Sequence, residues 1–305
     1  TDFAFAGSAN LTLSAASVPL GANRTITATA SNLTLNGGVT GAFNLTKAGA
    51  GTLTLAGLSG TAANNYSGST EVDAGTLSLT TTNPSFTGGL LFGSAGGTTV
   101  GTFSLASGVT ATFAAASKAQ TNSSSSSTVT IASGAKLQIN NAFTVGYDGG
   151  GTTNTSTKLT MTGLGSLVVQ GASQNVVVGL AQAANTSTNA GTLVLSGLSS
   201  VTFGDATTSI GDLRVGYGQT VGGTLTLSDT YNLITTAGTT GGILVGHSNG
   251  LNSGAASLLT IGNGTNVFST DTIKIGYSKD VGTVQFASQA PSAGTLVIQP
   301  VSLIG

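Results

Sequence analysis

Few residues in this sequence could do chemistry, and their spacing limits what that chemistry could be. His247 is the only histidine. A histidine acts as a general base beside a nucleophile and an orienting carboxylate, and it holds a metal only with several other donors. No Ser–Asp constellation accompanies His247, so it reads as a packing residue. Glu71 and Asp73 flank Val72 and point to the opposite side of a strand from it. Two carboxylates about 5–9.5 Å apart can hydrolyse glycosides. Without an aromatic groove, this pair reads as solvated surface charge. Asp212 and Arg214 share an outward face, and an exposed pair of that kind is worth about 0–1 kcal/mol. Arg24 and Arg214 are the only arginines. β-Helical polysaccharide lyases and hydrolases rely on clustered Asp, Lys and Arg, and that density is missing.

Weaker signals point the same way. Asp148-Gly149-Gly150-Gly151 only faintly echoes the calcium-binding Gly-Gly-x-Gly-x-Asp repeat. Thr-x-Thr pairs such as Thr52/Thr54, Thr128/Thr130 and Thr224/Thr226 could order water if stacked flat, but their irregular spacing argues against a regular array. Asn-x-Ser/Thr sequons, among them Asn10, Asn23, Asn44 and Asn263, are expected by chance in a chain rich in Ser and Thr. The expectation is no catalytic residue, no cofactor and no metal site.

Composition excludes more. The 305 residues include 8 Lys or Arg and 9 Asp or Glu, so 6% are charged, against about 25% in an average soluble protein. A net charge of -1 offers no basic field for nucleic acid. The absence of Cys rules out a disulfide framework. With 39% hydrophobic residues and low charge, disorder is not expected. No apolar run approaches the ~18 residues of a membrane helix. The sequence opens Thr1-Asp2-Phe3 without a signal region, as a processed product or an excerpt would.

These residues must be positioned by short strands. Leu11-Thr12-Leu13, Leu33-Thr34-Leu35, Leu53-Thr54-Leu55 and Leu77-Ser78-Leu79 alternate with period two, which puts leucine on one face and hydroxyls on the other. In the second half one motif returns: Val145-Gly146-Tyr147, Val178-Gly179-Leu180, Val215-Gly216-Tyr217, Val245-Gly246-His247 and Ile275-Gly276-Tyr277. The steps between these glycines are 33, 37, 30 and 30 residues, the range of solenoids and propellers. Each unit holds the glycine strand, a Leu-x-Leu strand such as Leu225-Thr226-Leu227, and in most units a third such as Val201-Thr202-Phe203. Gly146, Gly179, Gly216, Gly246 and Gly276 should lie in single file. Tyr147, Leu180, Tyr217, His247 and Tyr277 should form a column beside them. At about 32 residues per turn, the chain makes nine or ten turns, a stack of roughly 45 Å.

The segment Gly49-Ala50-Gly51-Thr52-Leu53-Thr54-Leu55, with Asn65-Tyr66-Ser67-Gly68 and Val72-Asp73-Ala74-Gly75-Thr76-Leu77-Ser78-Leu79, resembles the autotransporter-associated β-strand repeat of bacterial passenger regions. Leu45-Thr46-Lys47 fits its leading segment, and Leu58 to Asn64 is an insertion against it. Residues 143–298 resemble a sister repeat of type V secretion and PEP-CTERM-associated surface proteins. The resemblance implies secretion and a stalk or adhesive surface, with no catalytic residues to transfer.

The expected fold is all-β, a right-handed parallel β-helix with three strands per turn, the hand following from the general crossover rule. Residues 1–122 form the autotransporter-repeat-like part, 123–127 a serine-rich corner loop, and 128–305 a continuation of the same helix. Loops Asp148–Thr157, Gln182–Ala190 and Ser248–Ala256 fall after the glycine strand and should gather into one polar ridge for a partner. The expected function is a non-catalytic stalk or adhesive segment on the bacterial outer surface, meeting a glycan, matrix or neighbouring cell. The alternatives are a self-assembling filament or sheath, since β-helix ends polymerise unless capped, and a polysaccharide-active enzyme.

Overall fold

The structure is a computed structural model. It describes residues 2–14, 17–57, 64–81, 84–93, 101–120, 125–148, 156–181, 190–218, 221–237, 241–247, 255–277, 280–288 and 294–301. Among these residues all regular structure is β, in strands of 2 to 7 residues. The alternation read in sequence sets their faces. In Thr52–Leu55 both leucines are buried and both threonines are half-buried.

The strands stack into three long sheets. One holds 11 strands, from Phe3–Phe5 to Ile273–Tyr277, and the second holds 11, from Leu11–Leu13 to Gly282–Phe286. The third holds 8, from Ser85–Phe86 to Thr295–Gln299. Ser17–Leu20 and Gly38–Gly41 pair separately near the N-terminal end. Neighbouring rungs pair in parallel throughout, as Phe3 with Ile26 at one end and Val267 with Val297 at the other. The architecture is a parallel β-solenoid.

Rung length varies along the chain, and the early rungs are the shorter ones. Arg24 pairs with Leu45 and Thr70 with Leu90, steps of 21 and 20 residues, whereas Val176 pairs with Leu213, a step of 37. Corner length varies and strand register does not. Parallel pairing also joins the two expected halves directly, through Thr102 with Thr128 and Ser117 with Phe143. Part of the expected corner loop at 123–127 is strand. Residues 121–124 lie outside the described residues, but Ser125–Ser127 begin a strand and face Thr157, Lys158 and Leu159. Serine is small enough to sit inside, and buried Ser127 heads an inner file continued by Leu159, Leu193, Leu225 and Leu259.

The interior is built of such files. Leu33, Leu53, Leu77, Phe103, Val129 and Met161 follow one another rung by rung, all fully buried. Each such side chain contributes about 1.5–3 kcal/mol by leaving water. Phe86 and Phe113 stack in a second file with ring centroids 4.8 Å apart, and Tyr66 packs tilted against Phe86 at 5.1 Å. Phe103 meets Phe113 edge-on at 5.9 Å.

Polar groups also enter the interior where the ladder satisfies them. The buried Asn64 accepts the Val39 amide at 2.9 Å and donates to the Thr81 hydroxyl at 3.1 Å, which anchors the end of the expected insertion. Residues 58–63 lie outside the described residues. Buried Asn232 donates to buried Asn266 on the next rung at 2.7 Å. Buried Lys47 donates to three carbonyls, those of Ala48 and Gly49 at 2.7 Å and Ala74 at 3.0 Å. An ammonium has three donors, so this cage matches it fully. Loss of water nonetheless pulls the Lys47 pKa down to about 8.

The hydroxyl array is more regular than the sequence spacing suggested. Thr52, Thr76, Thr102, Thr128 and Thr160 lie in one file, and Thr54, Ser78, Ser104, Thr130 and Thr162 in the next. Variable corners absorb the irregular spacing, so five consecutive rungs present the same outward pair.

The aromatic file yields a direct test. Phe113→Ala should cost about 3–5 kcal/mol in chemical denaturation, because it opens a cavity between Phe86 and Phe103. Thr102→Ala, on the outward face, should change stability by no more than about 0.5 kcal/mol.

Candidate functional site

The best-supported site grows from the repeated glycine motif. Val145 pairs with Val178 and Tyr147 with Leu180, which sets Gly146 beside Gly179. The same flanking pairs carry the file through Gly216, Gly246 and Gly276. Their φ angles are +75, +76, +68, +64 and +63°, a left-handed conformation inside a strand. A β-carbon there would also collide. On Gly179 it would press the backbone of Gly222 and Gly223 at 3.0 Å, and on Gly146 it would meet the Gly191 α-carbon at 2.6 Å. The reverse holds too, since a β-carbon on Gly282 would meet the Gly276 nitrogen at 2.6 Å. The glycines of the first-sheet strands therefore face a second row at the start of the second-sheet strands, Gly191, Gly223, Ser257 and Gly282, closely enough that backbone meets backbone except at Ser257, whose hydroxyl side chain fills that rung. Sequence reading found the first row and placed Gly223 in the repeat motif, but missed that Gly191, Gly223 and Gly282 belong to a second row. The signal was there in Gly191-Thr192-Leu193 and Gly223-Thr224-Leu225.

The residue after each glycine then projects in a column. Tyr217 stacks on His247 with centroids 5.3 Å apart and planes 11° off parallel, and His247 stacks on Tyr277 at 4.8 Å and 12°. Leu180 pairs with Tyr217 in the same column. The backbone of Tyr147 is in register below Leu180. Parallel strands impose this stack, because equivalent residues recur about 4.8 Å apart.

A second outward column runs alongside: Arg214, Leu244 and Lys274 on successive rungs. The Arg214 guanidinium carbon lies 4.1 Å from the Tyr217 ring centre, and the Lys274 ammonium lies 4.9 Å from that of Tyr277. Asp212 fixes the arginine. Its Oδ2 accepts from Arg214 Nε at 2.8 Å and Nη2 at 2.5 Å, while Oδ1 accepts the Gly242 amide at 2.9 Å. One rung earlier Asn175 caps the Asp212 amide in the same way. An amide therefore suffices for the corner cap, and the second carboxylate oxygen serves Arg214. These groups border a cavity of about 240 Å³ that reaches His247 and Thr272.

His247 is not poised as a base. Burial lowers its pKa first, Lys274 and Arg214 lower it further, and its own backbone and Asp280 oppose them. The ring is therefore neutral at neutral pH. Its Nδ1 is buried and meets no partner beyond its own backbone. Among the described residues no group of three or more His, Cys, Asp or Glu could hold a metal.

The other sequence candidates fall elsewhere. Glu71 and Asp73 flank buried Val72 as expected, and Glu71 borders a cavity of about 460 Å³ with Leu91 and Lys118. Burial first, then the Asp73 charge, raises the Glu71 pKa, while a 3.3 Å bond from the Thr46 hydroxyl opposes the shift. Asn10, Asn23, Asn44 and Asn263 use their side-chain oxygens to accept an amide from the following rung. Sequons that looked accidental are thus structural corner caps. Gly149–Gly151 lie outside the described residues, as do most residues of the loops Asp148–Thr157, Gln182–Ala190 and Ser248–Ala256.

Two variants test these assignments. Gly179→Ala should lower the thermal unfolding midpoint by several degrees, because it combines left-handed strain with a backbone collision. A folded Glu71 with a raised pKa stabilises the protein at acid pH, and this contribution is lost as pH climbs from 4.5 through the raised value. Glu71→Gln should therefore raise the midpoint at neutral pH and flatten its pH dependence across that window, as read by thermal unfolding at a series of pH values.

Comparison with known proteins adds one finding. No curated protein and no solved structure matches the sequence. Residues 45–79 match the passenger-associated-transport-repeat family. That stretch holds caged Lys47, anchored Asn64, tilted Tyr66 and the strand pair Thr52–Leu55 and Gly75–Leu79. Residues 45–79 are thus similar to a passenger-associated transport repeat and lie in register within a parallel β-solenoid.

Proposed function

We propose that this chain is a non-catalytic, rigid β-solenoid segment of a bacterial protein that is secreted or displayed on the outer surface. It serves as a stalk and adhesive face toward a glycan, matrix or neighbouring cell. The observation that carries this reading is the passenger-type repeat at residues 45–79, lying in one unbroken parallel ladder. A solenoid gains stability rung by rung through nearest-neighbour contacts. It is therefore stiff along its axis and repeats its surface groups at a fixed interval. Many weak contacts on a stiff axis add up by avidity. The scarcity of charge fits the same role, since like charges repeated on successive rungs would repel.

A second reading is a self-assembling filament or sheath, because the parallel edge-to-edge pairing that stacks rung on rung can equally join one chain to another.

Electron microscopy of the purified chain, paired with a binding screen against immobilised glycans and bacterial cells, separates these readings. Single rods of about 50 Å that bind a glycan or cell surface are expected. Fibres growing with concentration would favour the filament. Turnover of a polysaccharide, or rods that bind nothing in the screen, would overturn the adhesive assignment.

A further inference from the structure

In a chain with one histidine, two arginines and five tyrosines, three successive rungs bring together His247, Arg214, Tyr217 and Tyr277. We infer that Arg214 and Lys274, held against the Tyr217–His247–Tyr277 stack, form a recognition site for an extended acidic polysaccharide that carries a carboxylate on every second sugar. The inference rests on the adhesive reading and gives it a ligand class and a location, on the first sheet.

Three features of the site select that ligand. The first is the sign of the charge offered to solvent. Asp212 has both oxygens engaged, one by the Gly242 amide and one by Arg214, and Asp280 is buried at 6% exposure. His247 is neutral. Among the described residues, the charges that line the cavity and face outward are Arg214, whose remaining guanidinium donors point away from Asp212, and Lys274. Asp271, exposed beside Thr272 at the corner, has one oxygen engaged by the Val301 amide, so an anion on the cavity itself meets cations first.

The second is spacing. Leu244 separates Arg214 from Lys274 in the ladder, so the two cations lie two rungs apart, about 9.6 Å. Consecutive uronates in an alternating copolymer recur at a comparable interval along an extended chain. The β-ladder thus provides a ruler that a single carboxylate would not use.

The third is rigidity. Lysine and arginine side chains on a surface normally lose much rotamer freedom when they bind. Here Arg214 is clamped by two hydrogen bonds to Asp212 and lies over Tyr217, and Lys274 lies over Tyr277. The aromatic stack holds both rings in place. Between the cations, Leu244 is the only residue of their column, and the cavity of about 240 Å³ gives the sugar rings a place to settle.

The test uses the 305-residue chain and three probes: a hyaluronan hexasaccharide, with a glucuronate on alternate sugars, chitohexaose as its neutral counterpart, and glucuronate alone. Calorimetric titration should show binding of the hyaluronan fragment, none of chitohexaose, and at least tenfold weaker binding of the monomer. Added salt should weaken it. Arg214→Gln and Lys274→Gln should each weaken it roughly tenfold, the scale of one charge-assisted contact. Lys274 is exposed on the last strand of its sheet, so Lys274→Gln should leave the unfolding midpoint unchanged, and the loss cannot then be blamed on misfolding. Equal binding of chitohexaose, or undiminished hyaluronan binding by the double variant, would overturn the site. Cell or glycan binding that survives in the double variant would leave the adhesive reading standing and remove only this assignment.

Discussion

Every side chain on a strand of this solenoid has a counterpart one rung away, about 4.8 Å distant. That single distance governs the rest. Leucine on leucine and phenylalanine on phenylalanine gain from it, which is why the interior resolves into files such as Leu33–Leu53–Leu77 and Phe86–Phe113. Hydroxyls tolerate it, and threonine and serine accordingly fill the outward face of the second sheet. Asparagine exploits it, either inside, as between Asn232 and Asn266, or at corners, where Asn23 and Asn44 each cap the next rung. Like charges would suffer from it. The 6% charged fraction is a consequence of the architecture as much as of the environment.

The glycine rows show how the same ladder accommodates variable corners. The step between rungs ranges from 20 to 37 residues, yet the strands on either side keep register. At the base of the longer excursions the two strands approach so closely that Gly179 and Gly223 leave no space for a β-carbon. A loop can lengthen without disturbing the files on which stability depends, which is the usual tolerance of repeat proteins to insertions on one face.

The same close approach builds the site. A left-handed glycine inside the strand sets the next residue to project beside the corner, and stacking of rungs turns that residue into a column. Tyr217, His247 and Tyr277 therefore form a stack without any special local sequence. Two cations two residues before the glycine then fall alongside it. Two structural duties thus fall on one residue: Asp212 is a corner cap in the ladder and the clamp of Arg214 at once.

Strand identity, inward and outward faces, the parallel stacking and the first glycine row could be derived from sequence alone, because period two and the recurrent Val-Gly-Tyr motif are local patterns that repeat. The second glycine row, the regular threonine array, the strand at Ser125–Ser127 and the buried Asn232–Asn266 pair could not. Each depends on which residues, 20 to 37 positions apart, end up opposite one another, and corner lengths that vary from rung to rung hide that from the linear order. The linear order pairs Asp212 with Arg214 but does not join them to Leu244 and Lys274. Only the tertiary register, which puts one rung directly above the next, makes them neighbours of an aromatic stack.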